Sequence, residues 1–419
     1  MSNKRNAIWS MAGGGAPAVA ALISIPVLIY YLGYELFVIT SLLISLTIFF
    51  YIYDFGIGRA MTYFLPAQDQ NQNSINHLIF SGLCLGSLLG IVTSAIAYFT
   101  APLFVARWMV ISPDLIEETA NAFQLLSLGI LPSILATVVR GALEGLSEFR
   151  IANFGKILSG TSIFIFPLLL VVGGIHDVES IALAIFFTRV IALFYFAYLL
   201  LKVSPFKFSK PSFQDIERIV KYTKWAAIGG FLSTMFVYGD RFIVSRYLDS
   251  ESLAVYIFSQ DILIRFLLIP WAMANVLMPL FVAGSQPKGT FIAFYEKQHK
   301  KIKSWSLLIA IMIVLGLYAF LRIPTDIELS SHLFDVVLIQ VIGIFFCALS
   351  QLPLIYLYAK GKPKAISLMY MLEALIYVAI APTIFKEYGL YGACFIWTGR
   401  LIIEYFLLQT YTKRIIRCS

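Results

Sequence analysis

ALAIFFTRVIALFYFAYLL (residues 182–200) is apolar enough to cross a bilayer, yet it carries one arginine, Arg189, near its middle. A guanidinium at the bilayer centre costs from about 2.5 to more than 10 kcal/mol depending on the reference state, so it must face a bundle interior or a wet cavity rather than lipid. The stretch predicts a helix packed among other membrane helices. GACFIWTGRLIIEYFLL (residues 392–408) repeats the arrangement, with Thr398 and Arg400 where the first copy has Thr188 and Arg189. Each half of the chain therefore brings one arginine to mid-span.

The whole composition agrees with a membrane solvent. Hydrophobic residues make up 60% of the chain and charged residues 13%, against roughly 45–50% and 25% in soluble domains. A span needs about 20 mostly apolar residues, and twelve stretches fit: 8–32, 36–53, 76–99, 119–139, 154–174, 180–201, 224–240, 252–282, 303–321, 335–358, 366–385 and 389–410. None alternates with the two-residue period of a strand, so an all-α integral membrane protein is expected. Lysine and arginine set the orientation. With the N-terminus cytoplasmic, 23 of the 31 fall in inner segments and five (Arg107, Arg241, Arg246, Arg322 and Lys386) in outer ones, leaving Arg189, Arg265 and Arg400 within spans. Both termini are then cytoplasmic.

Several function classes are excluded on the same grounds. The net charge of +8 is spread over the inner loops as topology demands, which argues against a nucleic-acid partner. The first apolar run is too long for a cleaved signal peptide. Cys84, Cys347 and Cys394 lie in spans and Cys418 at the tail, so no disulfide is implied; His77, His176, His299 and His332 are scattered without metal-ligand spacing. No GxxxxGK[ST] loop is present, so no nucleotide cofactor is expected.

The chain is also internally duplicated. Trp9, Gly13 and Gly14 recur at Trp225, Gly229 and Gly230, and Tyr31, Leu32 and Glu35 at Tyr247, Leu248 and Glu251, every pair offset by 216 positions. Six matches at one offset indicate an internal repeat of the kind many transporters carry. The expected organisation is an N-terminal six-helix bundle (1–205), a basic cytoplasmic linker (206–223) and a C-terminal six-helix bundle (224–419). The segment from Lys202 to Lys224, which contains this linker, carries Lys202, Lys207, Lys210, Arg218, Lys221 and Lys224 around Pro205 and Pro211, a composition suited to an anionic leaflet.

Charged motifs sit at two cytoplasmic edges. DFGIGRAMTYFLP (54–66) places Asp54 and Arg59 on either side of two glycines, and VVRGALEGLSEFRIANFGK (138–156) places Arg140 and Glu144 four residues apart on one helical face. Either they form structural turns or, together, a cytoplasmic gate that admits an anionic headgroup. Within the spans, Asp261 and Arg265 are again four apart, with Pro270 beyond them interrupting the ladder. Glu373 stands alone in LMYMLEALIYVAI, and Glu404 follows Arg400 by one turn.

The segment YLGYELFVITSLL through DFGIGRA (31–60), the RGALEG…RIAN hairpin and GDRFIVS (239–245) resemble the Wzx-type flippases of bacterial O-antigen and capsule repeat units. These belong to the multidrug, oligosaccharidyl-lipid and polysaccharide exporter superfamily, and the similarity runs along nearly the whole chain. The resemblance implies two pseudo-symmetric six-helix bundles facing a central cavity in the bacterial inner membrane. It implies an undecaprenyl-pyrophosphate-linked oligosaccharide as substrate, with an O-antigen polymerase and a chain-length regulator as neighbours. Arginine's planar fork binds phosphate oxygens without losing charge, so Arg189, Arg400 and Arg265 are the expected pyrophosphate ligands. Asp261, Glu373 and Glu404 are the expected carriers of a coupling proton or sodium ion. Two other classes remain open. A multidrug or cation antiporter would share the fold. A membrane glycan polymerase or ligase would need an outward catalytic loop, and the longest outer segment, about 100–118, offers only Arg107 and three carboxylates.

Overall fold

The structure, a computed structural model, describes residues 2–52, 55–67, 72–204, 209–283, 288–320 and 332–418. Among these, all regular structure is helical. The first run, α1 (Ser2–Ile52), is two helices joined where Gly33 takes φ 69° and ψ −179°. That region of backbone space is open to glycine alone, so the junction between the first two predicted spans needs no loop, only this residue. After α2 (Ile57–Phe64) and α3 (Gln72–Trp108), the fourth span is made of α4 (Ile116–Leu128) and α5 (Ile130–Gly145), which meet at Gly129. Then come α6 (Phe149–Val172) and α7 (Val178–Val203).

The seventh span starts as α8 (Phe213–Thr234), widens into a π-helical turn over Met235–Gly239 and ends as α9 (Asp240–Val244). The eighth is segmented into α10 (Ser250–Arg265), α11 (Leu268–Asn275) and α12 (Met278–Ala283). Its break falls at residues 266–267, so Pro270 lies in the first turn of α11, where a missing N–H leaves no intrahelical bond unmade. The last spans are α13 (Lys288–Phe320), α14 (Leu333–Ala359) and α15 (Pro363–Cys418), the last again two helices, broken at Gly389 with φ 52°. Counting the two broken runs as pairs, the helices among the described residues cover the twelve stretches that hydropathy predicts as spans.

Packing divides the chain into two compact units, Met1–Arg246 and Tyr247–Ser419. The division follows contacts rather than the sequence repeat, because α8 packs on α2 and α3. The segment before α8 is tied to α3 as well: the Ser212 N–H donates to Ser81 Oγ at 2.8 Å, and the His77 ring lies 2.9 Å from the Lys210 carbonyl oxygen. In the first unit the core forms where α2, α3, α5, α6 and α7 meet, around Met61, Leu78, Val138, Ala142 and Phe196. The tightest crossing is α2 on α5. A Cβ at Gly141 would lie 2.2 Å from the Gly58 carbonyl oxygen, so the two backbones touch as small-residue helix pairs in membranes do. Thr62 reinforces the crossing by donating to the Gly141 carbonyl at 3.2 Å.

The segment between α3 and α4 is shorter than hydropathy suggests, because α3 continues to Trp108. Glu118, at the start of α4, accepts from the backbone N–H of Val178, and Glu179 of α7 accepts from Asn121 at 2.9 Å. These bonds sit at the start of α7, where the helix dipole favours negative charge.

Candidate functional site

In the first unit, α7 buries one stripe, Val178, Ile181, Ala182, Ile185, Thr188, Arg189, Ala192, Phe196 and Leu200. This is the three-and-four spacing of an amphipathic helix, and it turns Arg189, 2% exposed, into the packed interior of that unit. The predicted aversion to lipid is thus met by α7's packing on α4, α5 and α6.

A second buried arginine escapes the hydropathy reading. Arg241, assigned above to an outer segment, is 1% exposed: Nη1 donates to Ser45 Oγ of α1 at 2.9 Å, and the guanidinium carbon lies 5.5 Å from the Tyr238 ring centre. The π-turn just before it is the kind of helix irregularity that accompanies functional positions. The signal was present in GDRFIVS, where the charged pair Asp240–Arg241 runs straight into an apolar tail; the assumed end of span 7 at residue 240 concealed it.

The two charged motifs come together. DFGIGRA and RGALEG form the α2–α5 crossing, where Thr62 Oγ1 lies 3.5 Å from Glu144 Oε2. Arg59 is exposed on α2, Arg140 and Glu144 are half-buried on α5, and Asp54 lies outside the described residues. On its other side α2 meets α8. Tyr63 stacks on Tyr222 with ring centres 4.6 Å apart and planes at 19°, and the Arg218 guanidinium lies 4.2 Å from the centre of the Phe64 ring.

The second unit holds a cluster of buried charges, all of it on α15. Arg400 Nη1 donates to Glu404 Oε2 at 2.9 Å and lies 3.5 Å from Glu373 Oε2, which reaches it from the helix before Gly389. Tyr370 donates to Glu404 Oε1 at 3.2 Å. All three charged side chains are buried, at 3% for Glu373, 8% for Arg400 and 7% for Glu404. Glu373, which stands alone in the sequence, is therefore an arginine's partner. Two carboxylates sharing one guanidinium leave a net negative charge when all are ionised, and one proton removes it. Glu373 and Arg400 line a recess of about 150 Å³ whose other walls are apolar, among them Ile376, Ile380, Phe395 and Ile403. Bonds to α14 hold this helix in place: Thr398 donates to the Ile339 carbonyl at 3.0 Å, and Gln340 accepts from Ser259 of α10 at 2.7 Å while its amide faces Cys394. Asp261 is buried and Arg265 half-buried on α10. Arg189 belongs to the first unit, and Arg265 and Arg400 to the second.

Comparison with known proteins places this architecture. Residues 4–285 match the family described as "Polysaccharide biosynthesis protein". The chain belongs to that family. A candidate O-antigen transporter of Shigella flexneri is 27% identical over 427 aligned positions, covering 99% of this chain and 98% of that protein. Among solved structures, an inward-facing multidrug-resistance MATE transporter of the MOP superfamily superposes with a TM-score of 0.71 at 14% identity, covering 99% of this chain and 95% of that one. The lipid II flippase MurJ in an inward closed conformation gives 0.72 at 16% identity, covering 97% and 87%. The fold is thus that of MATE and MurJ, and these relatives are named for transport rather than for catalysis. The polysaccharide-biosynthesis match covers Arg189 and Arg241 but stops before α13, so the Glu373–Arg400–Glu404 cluster lies beyond it.

Proposed function

We propose that this polysaccharide biosynthesis protein flips undecaprenyl-pyrophosphate-linked oligosaccharide repeat units from the cytoplasmic to the periplasmic leaflet of the bacterial inner membrane, for O-antigen or capsule synthesis. The observation that carries the reading is that each unit holds a buried mid-span arginine, Arg189 in one and Arg400 in the other, in a chain alignable end to end with a candidate O-antigen transporter. Arginines retained at such depth are costly, and a pyrophosphate passing through is a ligand that uses them. Arg265 is a third ligand on this reading. Arg59, Arg140 and Glu144, with Asp54, form the cytoplasmic gate. An O-antigen polymerase and a chain-length regulator would act on the product.

The driving force is an ion gradient, exchanged by alternating access. Glu373 and Glu404 carry the coupling ion, with Asp261 as a further carboxylate, and the excess of one carboxylate over the guanidinium at Arg400 suits a proton. Reconstituted protein given a fluorescent undecaprenyl-pyrophosphate glycan provides the test. Wild type should transfer it between leaflets, and Arg189→Ala and Arg400→Ala, if folded, should lose transfer. Normal transfer in both variants overturns the arginine roles. Export of cationic drugs by a wild type that never moves the lipid would instead establish the antiporter reading.

A further inference from the structure

The facing helices α2 and α8 carry the same spacing. Arg59 precedes Tyr63 by four residues on α2, and Arg218 precedes Tyr222 by four on α8, which places each arginine beside its tyrosine on one helical face. The tyrosines stack on each other and both meet Phe64 edge to face, yet Tyr63 remains 61% and Tyr222 43% exposed, so both side chains keep solvent-accessible surface beside the stack. The Arg218 guanidinium carbon lies over Phe64, 4.2 Å from the ring centre. Arg59 points along α8, such that a Cβ at Gly230, about two turns beyond Tyr222, would lie 3.3 Å from its Nη2.

We propose that Arg59, Tyr63, Arg218 and Tyr222 form a subsite for a glycosylated pyrophosphate, the sugar ring packing on the exposed tyrosine surface and the phosphates held by the guanidinium forks. The proposal rests on the flippase reading and adds the point at which the headgroup is first recognised. The chemistry selects this ligand. A pyranose presents a face of C–H groups that packs on an aromatic ring, and a pyrophosphate needs planar, permanently charged donors. The neighbouring Lys221 is already neutralised by Glu217. An anionic lipid surface would engage the charges and interfacial tyrosines alike, and competition by added lipid separates the two.

The test is binding by full-length protein in phosphatidylethanolamine and phosphatidylglycerol nanodiscs. The probes are citronellyl pyrophosphate and its N-acetylglucosaminyl and galactosyl derivatives. On wild type at least one glycosylated probe should bind about three- to tenfold tighter than the bare pyrophosphate, the range of a well-placed aromatic contact. Tyr63→Ala and Tyr222→Ala should erase that advantage, the double Tyr→Phe variant should keep it, and Arg59→Gln with Arg218→Gln should weaken all probes. No advantage for either sugar on wild type, or an advantage surviving both alanine variants, overturns the proposal. So does equal competition by added phosphatidylglycerol, which would mark a lipid-binding surface. Leaflet transfer separates the two readings: a wild type that moves no lipid-linked glycan defeats the flippase, while the binding comparison still decides the subsite.

Discussion

Arg400 illustrates how a buried charge is made tolerable. Its two carboxylate neighbours lie on the two halves of one broken helix, so removing the arginine alone leaves two buried anions facing each other. Breaking a buried pair in this way costs about 3–5 kcal/mol, whereas replacing the whole set by neutral groups is often close to neutral. Arg400→Met should therefore lower the melting temperature in detergent sharply, and adding Glu373→Gln and Glu404→Gln should restore much of it. A triple variant no more stable than the single one would show that the carboxylates are not what the arginine holds. Gly141 makes the second residue-scale case. The atom a methyl would strike is backbone, the Gly58 carbonyl oxygen, which cannot rotate away. Gly141→Ala should cost about 1–3 kcal/mol or more. Gly316→Ala on α13, with nothing within 4 Å, should leave the melting temperature unchanged or slightly raised.

At the scale of the element, the helix ends carry the predictions. Gly33 and Gly389 interrupt α1 and α15 by conformation alone, since a Cβ at either would meet no atom within 4 Å. Gly33→Ala should thus cost about 1–3 kcal/mol purely through its backbone, read as a loss of thermal stability without change in the chain's spans. Asp177 caps α7: its side chain accepts from the Ser180 N–H at 2.8 Å. The Ser180 side chain above all, and then this backbone bond, hold its carboxyl below the ordinary carboxylate value. A depressed acid contributes stability that is present above its unfolded pKa, near 3.9, and is lost as pH falls through the lower folded value. Asp177→Ala should cost about 1 kcal/mol at neutral pH, and the difference from wild type should shrink in melts taken below that window. The sequence reading found both hairpins but not their mechanism, because a positive φ leaves only a glycine as its trace.

For the whole molecule, the charge bias makes a topological prediction. In a cysteine-free background, a single cysteine at Glu117 should react with an impermeant maleimide on intact spheroplasts, and one at Lys413 only after lysis. Reaction of both from the same side would refute an even number of spans with cytoplasmic termini. Twelve spans and the fold class were legible because a bilayer allows few solutions: every backbone polar group must be satisfied within the segment, so apolar length translates directly into helices. The burial of Arg189 was legible for the same reason, being set by the solvent rather than by any partner.

Partners were another matter. Glu373 reads as a lone carboxylate because its countercharge is 27 positions away and is brought back only by the turn at Gly389. Arg241 reads as an outer residue because hydropathy averages over a window and cannot register a π-turn followed by a bond to Ser45. The stacked tyrosines of α2 and α8, 159 positions apart, share an arginine four residues before each, but that spacing does not say that the two rings meet. Composition and apolar length, which act through the solvent, were determined by the sequence itself. Which charges meet, where the compact units divide and which helices touch at Gly58 and Gly141 depended on packing between segments distant along the chain, and only the tertiary structure decided them.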